Sequence, residues 1–173
     1  MPIRWTGRLG GKEKHVKILD VFRKKYKRFD TMDGYGSIEY DALKHVPRII
    51  QVDVQIGTSK KEIIWIEAET NFDQIYFKAC RIGFSILYLL QNRTPDYDHN
   101  KRNIPTEVIF LALYNPVTRF MMSVLGLENR KLFTNYLQDV INLCTLNIKV
   151  ELYIVDINKN SIMNFREKSE IFP

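Results

Sequence analysis

Residues Ile49–Thr70, IIQVDVQIGTSKKEIIWIEAET, decide how the rest of the chain is read. Two runs rich in Ile and Val flank the polar turn GTSKK, the pattern of two strands joined by a short loop. The spacing predicts strands over 48–56 and 62–68. Side chains alternate along a strand, so Asp53 shares a face with Gln51 and Gln55, while Val52, Val54 and Ile56 take the other. On the second run Trp65, Glu67 and Glu69 share a face, opposed by Ile64, Ile66 and Ala68. A turn that pairs Gly57 with Ile63 puts Asp53 directly across from Glu67, and Gln51 across from Glu69. Opposed residues have Cβ atoms about 4.5–5.5 Å apart, near enough for two carboxylates to reach one cation. A slip of one residue would send the acids to opposite faces. Two readings stay open. Either these are solvated acids on a half-exposed sheet, paired with Lys60 and Lys61, or they gather around a divalent ion that removes their mutual repulsion.

Working outward, the segment Gly11–Phe29 has helical spacing, with Val16, Leu19, Phe22, Tyr26 and Phe29 in one apolar stripe. Its other face carries Lys14, Lys17, Arg23, Lys24, Lys27 and Arg28. TMDGYGS breaks that helix, and IEYDAL around Ile38 reads as a short strand. Downstream, Thr70 followed by Asp73 resembles a capping box that opens a helix reaching about Gln91. A polar loop, NRTPDYDHNKRNIP, leads to the buried strand EVIFLALY. NPVTRFMMSVLGL reads as a helical turn or short helix. NRKLFTNYLQDVINLCTL reads as an amphipathic helix with Leu132, Phe133, Tyr136, Leu137, Val140 and Leu143 inward, and NIKVELYIVDI closes as a strand. The order is helix, three strands, helix, strand, helix, strand. That predicts an α/β fold, a mixed β-sheet flanked by helices, in a single domain over residues 1–173.

Composition narrows the class. At 45% hydrophobic residues the chain is not disordered in bulk. Its most apolar segment, Ile75–Leu90, is interrupted by Lys78 and Arg81, so no membrane span is expected. The opening MPIRWTGRLGGKEK has basic residues with no apolar run behind them, unlike a signal peptide, and a soluble cytoplasmic protein is expected. Cys80 and Cys144 form no CxxC pair and read as core thiols. His15, His45 and His99 have no ligand spacing to one another. Lys and Arg outnumber Asp and Glu by 26 to 20, a surplus that suits a polyanionic partner. No P-loop, strand-borne GxGxxG or GxSxG competes for the function.

With Val52-Asp53 and Glu67-Ala68-Glu69 on consecutive strands in this element order, the chain resembles the PD-(D/E)XK, or restriction-endonuclease-like, nuclease superfamily. The resemblance implies a core of order αβββαβαβ and a Mg²⁺- or Mn²⁺-dependent endonuclease that hydrolyses phosphodiester bonds in DNA. It implies Asp53 and Glu67 as metal ligands, completed by the backbone carbonyl of Ala68. Val52 replaces the motif proline. Glu69 replaces the motif lysine, and would serve as a further ligand or as general base. Lys78 would then supply a catalytic lysine moved onto the following helix. Glu13 matches an extra acid on the first helix, and Gln74 a helical glutamine. Many such nucleases pair as homodimers to cut two strands.

Other features keep two readings each. Gln74, Lys78, Arg81 and Ser85 fall at i, i+4, i+7 and i+11, either a solvent face or, for Gln74 and Lys78, groups reaching the phosphate. Lys24, Lys27 and Arg28, with Arg93, Lys101 and Arg102 in the polar loop, either track a DNA backbone or form a solvated face. Trp65 shares the acid face, to stack on a substrate or to pack the sheet. The rival functions are a non-catalytic member of the same fold that binds nucleic acid or protein, to which Glu69 points, and an unrelated α/β interaction module.

Overall fold

The computed structural model describes residues 12–26, 52–57, 62–90, 104–143 and 147–167. Helix α1 spans Lys12–Lys25, and strands β1 and β2 span Val54–Gly57 and Ile63–Glu69. A 3-10 turn at Phe72–Gln74 leads into α2, Ile75–Leu89. Then come β3 (Glu107–Leu113), α3 (Pro116–Ile141), β4 (Lys149–Asp156) and β5 (Ser161–Asn164). The strands form one sheet in the order β1-β2-β3-β4-β5. β2, β3 and β4 run parallel, and β1 and β5 are antiparallel to their neighbours. The α/β class and the mixed sheet flanked by helices are as expected. The expected strand around Ile38, Phe29 and Cys144 lie outside the described residues.

The parallel centre follows from composition. Every residue of β2 and β3 is buried, as strands covered on both faces require. On one face α1 sets Ile18, Leu19 and Phe22 against Ile64, Ile66, Ala68, Ile109 and Leu111. On the other, α2 and α3 bring Ile75, Ala79, Ile82, Ile86, Leu137 and Ile141 onto Trp65, Phe110, Leu152 and Ile154. The sheet is therefore not half-exposed, and the acid face of β2 lies under α2. Trp65 is fully buried, with its indole N–H donated to Gln55 Oε1 at 3.0 Å, so it packs the sheet and offers no stacking surface.

The β1–β2 register is the expected one, with Gly57 opposite Ile63 and Val54 opposite Ile66. β1 begins later than expected, however, and Asp53 sits in a bend just before it. The bend breaks the alternation. Val52 joins the core on the α2 side, whereas Val54 packs on the α1 side.

Three further expectations are corrected. The capping box at Thr70 does not form: Glu69 Oε1 accepts the backbone N–H groups of Thr70 and Asn71, at 3.0 and 3.4 Å, and the chain enters α2 through the 3-10 turn. The two helices expected after β3 meet at Gly126, whose φ of 63° and ψ of 173° are non-helical. That break resets the phase of the second half, which buries Arg130, Thr134, Leu137 and Ile141. Phe133 and Val140 still pack on the core. Leu132, Tyr136 and Leu143 are exposed: Tyr136 stacks on Tyr76 in the first turn of α2, and Leu143 lies beyond the helix end. Finally, β5 was not expected. Asp156 Oδ1 accepts the N–H groups of Asn158 and Lys159, and Asn160 takes a φ of 50°, so a tight turn folds the chain back on β4.

Candidate functional site

The site forms where β2 outruns β1. Beyond the Val54–Ile66 pair, Glu67, Ala68 and Glu69 continue past the start of β1, leaving backbone groups on that side without a strand partner. Asp53 fills the gap. Its Oδ2 accepts the Ala68 N–H at 2.8 Å, and its own N–H donates to Glu67 Oε2 at 3.0 Å. The bend therefore braces the two acids reciprocally. Glu67 is 1% exposed.

Helix α2 brings the counter-charges. Lys78 and Arg81, three residues apart on one helical face, both donate to Glu67 Oε1 at 2.5 Å. Lys78 Nζ also stands 3.7 Å from Glu69 Oε2. From the other side of the sheet, His15 on α1 places Nδ1 3.8 Å from Asp53 Oδ2. Burial, followed by the Glu67 carboxylate, pushes the Asp53 carboxyl up to about 7. The Ala68 N–H, Lys78 and Arg81 pull it down without offsetting that rise. Burial lowers the His15 pKa, and Lys78 adds to the lowering against the opposing pull of Glu69 and Glu67.

Asp53, Glu67, Glu69 and Lys78 thus come together as the sequence suggested. Arg81, which the sequence placed on a solvent face, belongs with them. Gln74 does not: it is exposed, and its amide reaches only Asp73, at 3.4 Å. Glu13 points to solvent in an i,i+4 pair with Lys17 at 3.0 Å. Ser85 is buried with its hydroxyl donated to the Arg81 carbonyl at 2.7 Å, so it is satisfied within the helix rather than facing solvent. Lys24 is exposed on α1, and Lys27, Arg28, Arg93, Lys101 and Arg102 lie outside the described residues. The residue missed is His15. Its signal was position, since it shares one helical stripe with Ile18, Leu19 and Phe22, where a polar ring is carried inward.

Among the described residues, no group of three or more His, Cys, Asp or Glu is arranged around one point to hold a metal ion. The donors nearest one another are the Asp53 and Glu67 carboxylates and the Ala68 carbonyl, with both Glu67 oxygens already accepting hydrogen bonds. Asp53 Oδ1 takes no hydrogen bond from a described residue. The Ala68 carbonyl shares the strand side of its N–H, toward Asp53. Such a set suits Mg²⁺, which is commonly held by one or two carboxylates and otherwise by water and substrate phosphate. Comparison with protein-family models, curated proteins and solved structures finds no match to this chain.

Proposed function

We propose that this chain is a metal-dependent phosphodiesterase, an endonuclease of restriction-endonuclease-like type acting on DNA in the cytoplasm, with paired chains cutting both strands. One observation carries the reading: a buried glutamate, Glu67, braced by the Asp53 backbone and faced by Lys78 and Arg81. Metal-assisted phosphodiester hydrolysis uses acids to hold a cation and positive groups to meet the phosphate oxygens, within one small volume. Mg²⁺ or Mn²⁺ bound at Asp53, Glu67 and the Ala68 carbonyl would supply charge neutralisation and a more acidic water. Lys78 and Arg81 keep Glu67 in one orientation, and their partly exposed ends can turn to a phosphate oxygen. Lys78 supplies from α2 the ammonium that Glu69 does not. Glu69 Oε2, on the side of Lys78, is free to accept a proton while Oε1 stays fixed to the backbone.

A second reading, a nucleic-acid-binding member without cleavage, is favoured by the occupancy of Glu67, both of whose oxygens already accept hydrogen bonds. Incubation with plasmid and branched DNA decides between them. Cleavage with Mg²⁺ or Mn²⁺, lost with chelator and in Asp53→Ala and Lys78→Ala, is expected of the enzyme. Equal cleavage by wild type and both variants would remove the acid cluster from the chemistry. Binding with no cleavage under any metal would leave the second reading.

A further inference from the structure

Past the C-terminal ends of β3 and β4, where α3 begins, a cleft of about 960 Å³ opens beside the acid cluster. Lys14, Arg119 and Arg130 line it, and among the described residues no Asp or Glu does. Arg130 is only 8% exposed. Its Nε donates to the Gly126 carbonyl at 3.3 Å, and its guanidinium lies 5.8 Å from the centre of the Phe165 ring. Among the described residues, neither terminal nitrogen of Arg130 has a hydrogen-bond acceptor, and no carboxylate pairs with Arg130, Lys14 or Arg119. Three cations around one cleft repel each other, and an anion between them lowers that cost. The start of α3 adds the positive end of its dipole.

Two links join the cleft to the acids. Asn115, which caps α3 by accepting the Thr118 N–H, donates its amide to the Thr70 carbonyl at 3.0 Å, and the Thr70 N–H is held by Glu69. Lys14 is the chain neighbour of His15, which faces Asp53. Adjacent strands are about 4.8 Å apart, so the cleft stands roughly one or two strand spacings from the end of β2. That is the reach of a neighbouring nucleotide.

We propose that this cleft is a second phosphate subsite, in which Arg130, Arg119 and Lys14 hold a backbone phosphate of the same polynucleotide whose bond lies at Glu67. The inference rests on the phosphodiesterase reading and deepens it. The Arg fork matches phosphate oxygens in pairs, and with its Nε held by the Gly126 carbonyl and its plane near the Phe165 ring its outer nitrogens are held ready for them.

The test is binding of labelled oligonucleotides, single-stranded and duplex, to the full chain in chelator, read by fluorescence anisotropy over a range of salt. Lys14→Glu and Arg119→Glu should each weaken binding about tenfold and lower the slope of log K against log salt by about 0.7–0.9, one phosphate contact. Lys131→Glu, an exposed change beside Glu128 on α3 and outside the cleft, controls for net charge and should leave the slope alone. Arg130→Gln should act in the same direction, with its fold checked by circular dichroism. The exposed pair keeps the test decisive if Arg130→Gln unfolds. No oligonucleotide binding by wild type, or equal slopes in wild type and both reversals, overturns the subsite. Inorganic phosphate and a mononucleotide are run as competitors, and displacement at the affinity of the oligonucleotide would also overturn it, marking a site for small phosphates. Cleavage with Mg²⁺ is measured separately. Cleavage with cleft-independent binding sinks the subsite alone, and cleft-dependent binding without cleavage sinks the nuclease reading alone.

Discussion

Glu67 concentrates the residue-scale energetics, because one buried carboxylate answers two cations. Removing it takes the shared partner from Lys78 and Arg81, whose ends keep a path to solvent. Glu67→Ala should therefore destabilise the chain by about 1–3 kcal/mol in urea unfolding, less than stripping one member from a fully buried pair. Lys78→Ala should cost less, since Arg81 still satisfies the same oxygen. Asp53 gives a prediction in pH. Its carboxyl rises from an ordinary 3.8 to about 7 in the fold, first through burial and then through Glu67. The folded state holds the proton more tightly. This contribution to stability is fully present below pH 3.8 and is lost as pH rises through about 7. Asp53→Asn keeps an acceptor for the Ala68 N–H but carries no such proton. In chelator, the stability of that variant relative to wild type should rise between about pH 4 and pH 8, by up to about 1.4 kcal/mol per unit. A flat difference would refute the buried-acid account. At this scale the sequence showed that Asp53 and Glu67 lie side by side, because the turn fixes the register of β1 on β2, but not the bend at Asp53 that breaks the alternation. It did not show His15 or settle Arg81, because both depend on how two helices lie across the sheet.

At the scale of elements, α3 is two helices joined at Gly126. No neighbour lies within 4 Å of a Cβ added there, so crowding plays no part in the choice of glycine. The backbone does, since φ of 63° with ψ of 173° is a region open in practice to glycine alone. Gly126→Ala should cost about 1–3 kcal/mol by thermal or urea unfolding, from strain alone. A neutral substitution would mean the two halves can straighten into one helix. Gly83 shows the opposite cause: its Cβ would come 2.9 Å from the Val140 carbonyl, so glycine lets α2 approach α3 closely. The central strands were legible because long apolar runs demand cover on both faces. β5 was less so, because its four residues are only half-buried and its signal lies in the turn chemistry of Asp156 and Asn160. The inward face of the second half of α3 was misread because polar Arg130 and Thr134 occupy the buried face while apolar Leu132 and Tyr136 lie outside it.

At the scale of the molecule, the C-terminal edge of the parallel strands gathers everything with chemistry. The acids stand at the end of β2, and the cationic cleft opens past β3 and β4. Open α/β sheets favour this edge for binding, where loops leave the strands and helices begin. Among the described residues no helix is long and apolar enough to cross a membrane. The cleft escaped the sequence reading because Lys14 lies on α1, far from Arg119 and Arg130 in the chain, and the break at Gly126 separates those two. The three-way contact of Glu67, Lys78 and Arg81 has a consequence for descent. With one oxygen serving both cations, no single substitution among the three is neutral, whereas losing the acid together with its partners exchanges a charged knot for an ordinary apolar seam. Lineages of this chain should therefore keep all three or drop all three. An isolated Lys78 or Arg81 opposite an apolar residue at position 67 would be the rare state, a short-lived step between two stable solutions.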